Sequence, residues 1–75
     1  MKRYIIIDKE GRKLHSNNYF YDCIMGGFGV NLVIYKSNKS AEKRATQVGG
    51  YVVTITPEDK TITDAIKKKL SEIND

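Results

Sequence analysis

The sequence predicts a small α+β domain, in which two helices accompany a mainly antiparallel sheet of three or four strands. The first observation is a set of short apolar segments rich in β-branched residues, over 2–8, 30–35 and 51–56. The second is a pair of segments with apolar residues at helical spacing, over 38–48 and 61–73. The third is the length of 75 residues, which suits a single domain, residues 1–75, with a small core.

The N-terminal segment predicts a β-hairpin. The run Ile5-Ile6-Ile7 within the first strand, 2–8, indicates burial on both faces of a sheet. The polar stretch Asp8 to Gly11 predicts a turn, because glycine can adopt the positive φ that closes a hairpin. A short return strand over 12–15 completes the pair.

The next segment is rich in aromatic residues, but its apolar and polar residues alternate poorly. Aromatic side chains favour extended structure, so we expect a strand near 19–24. Three of the four residues from Gly26 to Gly29 are glycine, which predicts a loop after that strand because glycine loses the most backbone entropy on ordering.

The central stretch, residues 30–56, predicts strand, helix and strand in succession. Ser37 follows the first strand, and its hydroxyl can accept a hydrogen bond from the first turn of the helix at 38–48. Gly49-Gly50 predicts the end of that helix, because glycine enters the left-handed region without steric cost. The apolar stripe of the helix consists of small residues, which are Ala41, Ala45 and Val48.

After its apolar strand, the central stretch contains a series of short motifs, which are Tyr35-Lys36-Ser37, Ala41-Glu42-Lys43, Ala45, Gly49-Gly50 and Val52-Val53. This pattern resembles a group of short, uncharacterised α+β domains encoded by phages and prophages of Gram-positive bacteria. The similarity covers residues 1–56 and leaves out the last helix; the aromatic segment Tyr19 to Gly29 has no counterpart in it. It implies an origin in a mobile element and carries no chemistry.

The last helix has two candidate starts, one at Thr56 before Pro57 and one at Thr61, where Asp64 suits a capping box. Its apolar stripe must cover either the sheet or the same helix of a second subunit. The stripe therefore also provides candidate residues for a homodimer interface, which are Ile62, Ile66, Leu70 and Ile73.

Composition limits the classes of function. The net charge of +4 mildly favours anionic partners. The single cysteine excludes an internal disulfide, and the sequence contains no cluster of cysteine and histidine residues that would predict a metal-binding site. No apolar run is long enough to span a membrane. The apolar run Ile5-Ile6-Ile7 is too short to be the apolar region of a signal peptide. We therefore expect a cytoplasmic protein without a cofactor.

His15 and Cys23 are the one histidine and the one cysteine of the chain. No third group is placed to orient them as a nucleophilic pair, so we interpret Cys23 as a small buried hydrophobic residue and expect no catalytic site. Gly26 to Gly29 is followed by a predicted strand and not by a helix, which argues against a phosphate-binding loop and for a flexible or partner-contacting one.

Two surfaces remain as candidate binding sites. Tyr19, Phe20, Tyr21 and Phe28 form an aromatic patch that suits a protein interface, although burial of two or three of them in the core is the commonest outcome. The basic residues around the first helix are primarily interpreted as a solvated face; as an alternative they would contact nucleic acid while Tyr19 or Tyr21 stacks on bases. These residues are Lys36, Lys39, Lys43 and Arg44.

The expected function is therefore that of a non-enzymatic accessory protein of a mobile element. It would bind a host macromolecule, and the specific form is an inhibitor of a host enzyme or defence complex. The alternatives are a small nucleic-acid-binding protein and a structural homodimerisation module.

Overall fold

The computed structural model describes residues 2–74, which form a four-stranded antiparallel sheet and two helices. The strand order is β3-β2-β1-β4, and β1 and β4 pair from Arg3 opposite Ile55 to Ile7 opposite Tyr51. This arrangement confirms the predicted α+β class. The elements are β1 Arg3–Ile7, β2 Lys13–Leu14, β3 Phe20–Tyr21, α1 Asn38–Val48, β4 Tyr51–Ile55 and α2 Ile62–Ile73.

The strand β1 is central, and one helix packs on each face of the sheet around it. Ile5 and Ile7 belong to the apolar cluster that includes residues of α2, whereas Ile6 belongs to the cluster that includes residues of α1. All three isoleucines are completely buried, as the sequence predicts. Burial of each such side chain stabilises the fold by about 1.5–3 kcal/mol, so this tripeptide carries a large share of the core.

The bounds of α1 are those that the sequence predicts. The hydroxyl of Ser37 accepts a hydrogen bond from the backbone N–H of Ser40 at 3.4 Å, which caps the N-terminus. At the other end Gly49 has φ +70°, and its N–H donates to the carbonyl of Ala45. Ala41 and Ala45 are buried, and their small side chains let the helix approach the sheet closely.

The helix α2 follows the second of its two predicted starts. The hydroxyl of Thr61 accepts a hydrogen bond from the N–H of Asp64 at 3.2 Å, and the helix begins at Ile62. A start at Thr56 is wrong, because the N–H of Thr56 donates to the carboxylate of Asp59 at 2.9 Å and residues 57–58 form a turn. Such local side-chain bonds compete with helical bonding.

The apolar stripe of α2 lies on the sheet of its own chain. Ile66 is buried together with Ile5, Ile7 and Val53, so it is not free to contact a second subunit. The stripe could cover either the sheet or the same helix of a second subunit, and in the structure it covers the sheet. The other members of the stripe pack at the edge of the same cluster, and they are Ile62, Leu70 and Ile73.

The predicted strand at 30–35 does not form, and this prediction was wrong. The segment makes two isolated bridges, one between Leu32 and His15 and one between Tyr35 and Tyr4. Because it passes from the end of β2 to the start of β1, it finds no single strand with which to keep a continuous register. Neither helix in residues 2–74 has the length and apolar character needed to cross a membrane.

Candidate functional site

The loop at residues 22–29 is attached to the sheet through a buried histidine. The Nε2 atom of His15 accepts a hydrogen bond from the backbone N–H of Met25 at 2.9 Å, and the Nδ1 atom lies 2.8 Å from the carbonyl oxygen of Lys13. An N–H group can only donate, so Nε2 is the acceptor, and Nδ1 carries the proton that is donated to Lys13. The ring of Tyr21 packs edge-on against the imidazole at 4.9 Å between centroids.

The neighbouring residue, Ser16, holds the end of the same loop. Its hydroxyl donates to the carbonyl of Gly29 at 3.1 Å and accepts from the N–H of Asn31 at 3.0 Å. The backbone N–H of Ser16 also donates to the carbonyl of Asn31 at 2.8 Å. Two consecutive residues thus fix the loop at Met25 and again at Gly29.

Phe28 lies at the tip between these attachments. Its φ of +52° is in the left-handed region, and the flanking Gly27 and Gly29 also have positive φ values, of +94° and +77°. The conformation is uncommon for a residue with a side chain and costs of order 1–3 kcal/mol. With a relative exposure of 107 %, the phenyl ring gains no burial that would offset this cost within the chain.

Other apolar side chains are exposed in this loop and next to His15, which holds it. Tyr19 is 66 % exposed, and its carbonyl accepts a hydrogen bond from the N–H of His15. Ile24 and Met25 are also exposed, and Met25 is bonded to the same histidine. We define Tyr19, Ile24, Met25 and Phe28 as the apolar loop patch, a type of surface that marks interaction sites in soluble proteins.

The predicted aromatic site is therefore divided by the fold. Tyr19 and Phe28 are exposed as a binding site requires, whereas Phe20 packs against the cluster beneath α1. Tyr21 is half-buried against His15, and its hydroxyl accepts a hydrogen bond from the side-chain amide of Asn17 at 2.8 Å.

Ile24 and Met25 were absent from the predicted site. The poor alternation in that segment was the signal that could have found them, since a half-buried strand would alternate.

Comparison with protein-family models, with curated proteins and with solved structures finds no match to this chain. Function is therefore inferred from the geometry and chemistry of its residues.

The one cysteine is not the buried residue that the sequence predicts. Cys23 is exposed, because the loop that carries it lies outside both apolar clusters. It forms no pair with His15, whose two ring nitrogens are engaged by backbone groups. Among residues 2–74, no three side chains of histidine, cysteine, aspartate or glutamate are grouped closely enough to hold a metal ion.

The basic residues of the first helix do not form one uniform surface. Lys36, Lys39 and Lys43 are exposed. Arg44 is half-buried, and its guanidinium donates to the side-chain oxygens of Gln47 and Asn18. Asn18 lies in the turn between β2 and β3, so this arginine connects α1 to the turn that precedes Tyr19.

Two ion pairs stabilise turns away from the patch. Asp59 has its pKa lowered chiefly by a hydrogen bond from Lys68, whose ammonium lies 2.8 Å from the carboxylate, and the same pair raises the pKa of Lys68. Asp8 closes the β1–β2 turn by accepting from Arg12 Nε at 2.8 Å, which raises the pKa of that guanidinium. In each pair the opposite charge and hydrogen bond of the partner side chain account for the direction of the pKa shift, so the shift does not indicate a catalytic role.

Proposed function

We propose that this protein is a non-enzymatic binding protein whose apolar loop patch inserts Phe28 into a pocket of a partner protein. The observation that carries the proposal is the fully exposed phenyl ring on a left-handed backbone, presented by a loop that His15 and Ser16 fix at both ends. A loop held at both ends loses less conformational freedom on binding, which improves affinity.

The energetics favour a partner with an apolar pocket. Burial of one phenylalanine side chain contributes about 1.5–3 kcal/mol, which corresponds to roughly ten- to 150-fold in affinity. Exposed Tyr19, Ile24 and Met25 would add apolar contacts around that anchor. Binding energy at protein interfaces is concentrated in a few such residues, with aromatic side chains prominent among them.

The specific form that we propose is an accessory protein of a phage or prophage that acts in the host cytoplasm. It would inhibit a host enzyme or a defence complex by occupying an apolar pocket. The resemblance of residues 1–56 to phage and prophage domains supports this form, and the exposed patch supplies the surface that an inhibitor of this kind needs.

Affinity capture from the lysate of a Gram-positive host tests the proposal. Wild-type protein should retain a defined partner, whereas Phe28→Ala and Tyr19→Ala should each lose it. Tyr51→Ala is the matched control, because Tyr51 is also an exposed aromatic residue but lies on the opposite edge of the sheet from β3. Equal capture by Phe28→Ala and the control would contradict the proposal.

Nucleic-acid binding is the second candidate, and one observation favours it. The bond between Arg44 and Asn18 places a cation beside the turn that leads to exposed Tyr19, and Lys39 and Lys43 are exposed on the same helix. Phosphate contacts and base stacking would then combine, as in single-strand binding.

A salt titration of binding to mixed single-stranded DNA and RNA tests this second candidate. Each phosphate contact should contribute a slope of about −0.7 in log K against log salt. The double variant Lys39→Gln/Lys43→Gln should reduce that slope. Absence of binding at low salt would eliminate the candidate.

A further inference from the structure

The outer edge of β4 carries unpaired backbone groups. Tyr4 exchanges both of its backbone hydrogen bonds with Tyr35, at 2.9 and 2.8 Å, so its N–H and C=O point away from β4. Directly opposite Tyr4 on β4 is Thr54, whose own N–H and C=O must then point outward. The same alternation directs the backbone groups of Val52 outward. Within residues 2–74, β4 pairs with β1 and with no other strand.

The sequence of this edge lacks the features that normally prevent pairing. Tyr51-Val52-Val53-Thr54-Ile55 contains no charged residue and no proline, the residues by which edge strands usually avoid association. Thr54 is exposed, and Tyr51 is 40 % exposed. A cavity of about 500 Å³ adjoins the first residues of this strand, Tyr51 and Val52, and is also lined by Glu42 and Thr46 of α1 and by Lys69 of α2.

We infer that β4 pairs antiparallel with β4 of a second copy of this chain, about a two-fold axis at Val53. In that register Val52 lies opposite the partner's Thr54, and both have outward-directed N–H and C=O groups. The two symmetry-related pairs therefore form four hydrogen bonds and leave none of these outward groups unpaired. The two sheets become one sheet of eight strands.

The side chains favour a second copy as the occupant of this edge. The two-fold axis places Tyr51 opposite the partner's Ile55, an aromatic–β-branched pair of the kind that contributes roughly 0.2–1 kcal/mol. The central position pairs valine with valine, and no charged residue of the strand meets another. A chain of 75 residues has a small core of its own, and association is a common way of supplementing such a core.

Sedimentation velocity of a matched pair of variants tests the inference. In the dimer, residue 54 of one chain and residue 54 of the other are diagonal neighbours across the two-fold axis, roughly 7–8 Å apart. Thr54→Lys therefore brings two positive charges close together, and their repulsion should shift the dimer to monomer. Thr63→Lys makes the same change at an exposed position of α2 and should leave the dimer intact. Circular dichroism should show both variants folded, since neither threonine is buried.

A wild-type chain that is monomeric at the concentrations used for NMR would overturn the inference, as would a dimer that Thr54→Lys does not weaken. A monomer that binds an unrelated extended peptide at this edge would assign the edge to another partner and would also overturn it. Loss of the dimer leaves the apolar loop patch untouched, because that patch adjoins β3 at the opposite edge of the sheet.

Cysteine cross-linking tests the register in a Cys23→Ser background. Tyr51 and the partner's Ile55 form a pair without mutual hydrogen bonds, in which Cα atoms lie about 4.5 Å apart, a distance that suits a disulfide. Tyr51→Cys and Ile55→Cys chains mixed in equal amounts should therefore form the mixed disulfide well above the proportion of about half that random pairing gives. A random distribution of disulfides would overturn this register.

Discussion

Replacement of His15 should release the loop at residues 22–29 and destabilise the fold. His15→Phe retains a ring of similar size beside Tyr21 but removes the bonds to Lys13 and Met25. The variant thus isolates the contribution of the two hydrogen bonds from that of packing.

The expected loss follows from the burial of the site. His15 is completely buried, and each lost hydrogen bond costs about 1 kcal/mol, or more where its partner stays without water. The sum is about 2 kcal/mol for the two bonds. At roughly 0.05–0.15 kcal/mol per residue, a chain of this length has a free energy of unfolding of about 4–11 kcal/mol, so the change is large.

Urea denaturation should report this loss in the free energy of unfolding, and amide hydrogen exchange should locate it. The two amide variants provide a comparison. His15→Gln can offer an oxygen near the position of Nε2 and should keep the exchange protection of the Met25 N–H. His15→Asn can replace only the donor to the carbonyl of Lys13, so the Met25 N–H should lose its protection. Unchanged protection of Met25 in His15→Asn and His15→Phe would refute the reasoning.

Two further predictions concern the turns. Gly11→Ala should lower the free energy of unfolding by about 1–2 kcal/mol in urea, because φ is +85° and the new Cβ would lie 3.0 Å from Leu70. Gly26→Ala should be nearly neutral, since φ is not positive there and no atom lies within 4 Å, and equal effects would contradict the prediction. Asp59→Asn should flatten the loss of stability on acidification. The lowered pKa of Asp59 stabilises the fold above its ordinary value near 4, and that stabilisation disappears as the pH falls through the folded-state pKa. Thermal melts between pH 2 and 7 measure this difference, and a wild-type profile in the variant would contradict it.

The helices were predictable because their signals are local. Ser37 and Thr61 cap the helices through bonds that span three residues, and Gly49 ends α1 through its own backbone conformation. The segment 30–35 was not predictable in this way. Its apolar residues suit a strand, but a strand also needs a neighbouring strand with free backbone groups. On this side of β1, Ile7 pairs with β2 and only Tyr4 pairs with Tyr35, so no continuous ladder forms.

The candidate site was predictable as a segment and not residue by residue. Phe20 and Tyr19 are adjacent aromatics, yet one packs beneath α1 and the other is exposed. The difference depends on which face of β3 meets the core, and a strand of two residues gives too short a pattern to show this. The role of His15 depends on contacts with Met25, ten residues away, and a lone histidine carries no local signal for it.

The central position of β1 has a consequence for the order of folding. Its long ladder is formed with β4, where Arg3 pairs with Ile55, so β1 cannot complete this ladder until β4, which lies far along the sequence, is available. Non-local pairing of this kind slows folding, because a long loop must close before its contacts form. Until then Ile5, Ile6 and Ile7 stay uncovered on a nascent chain, as a β-prone tripeptide that favours aggregation. Pairing of β1 with β4 and packing of the two helices on the sheet thus end the period in which this tripeptide is exposed.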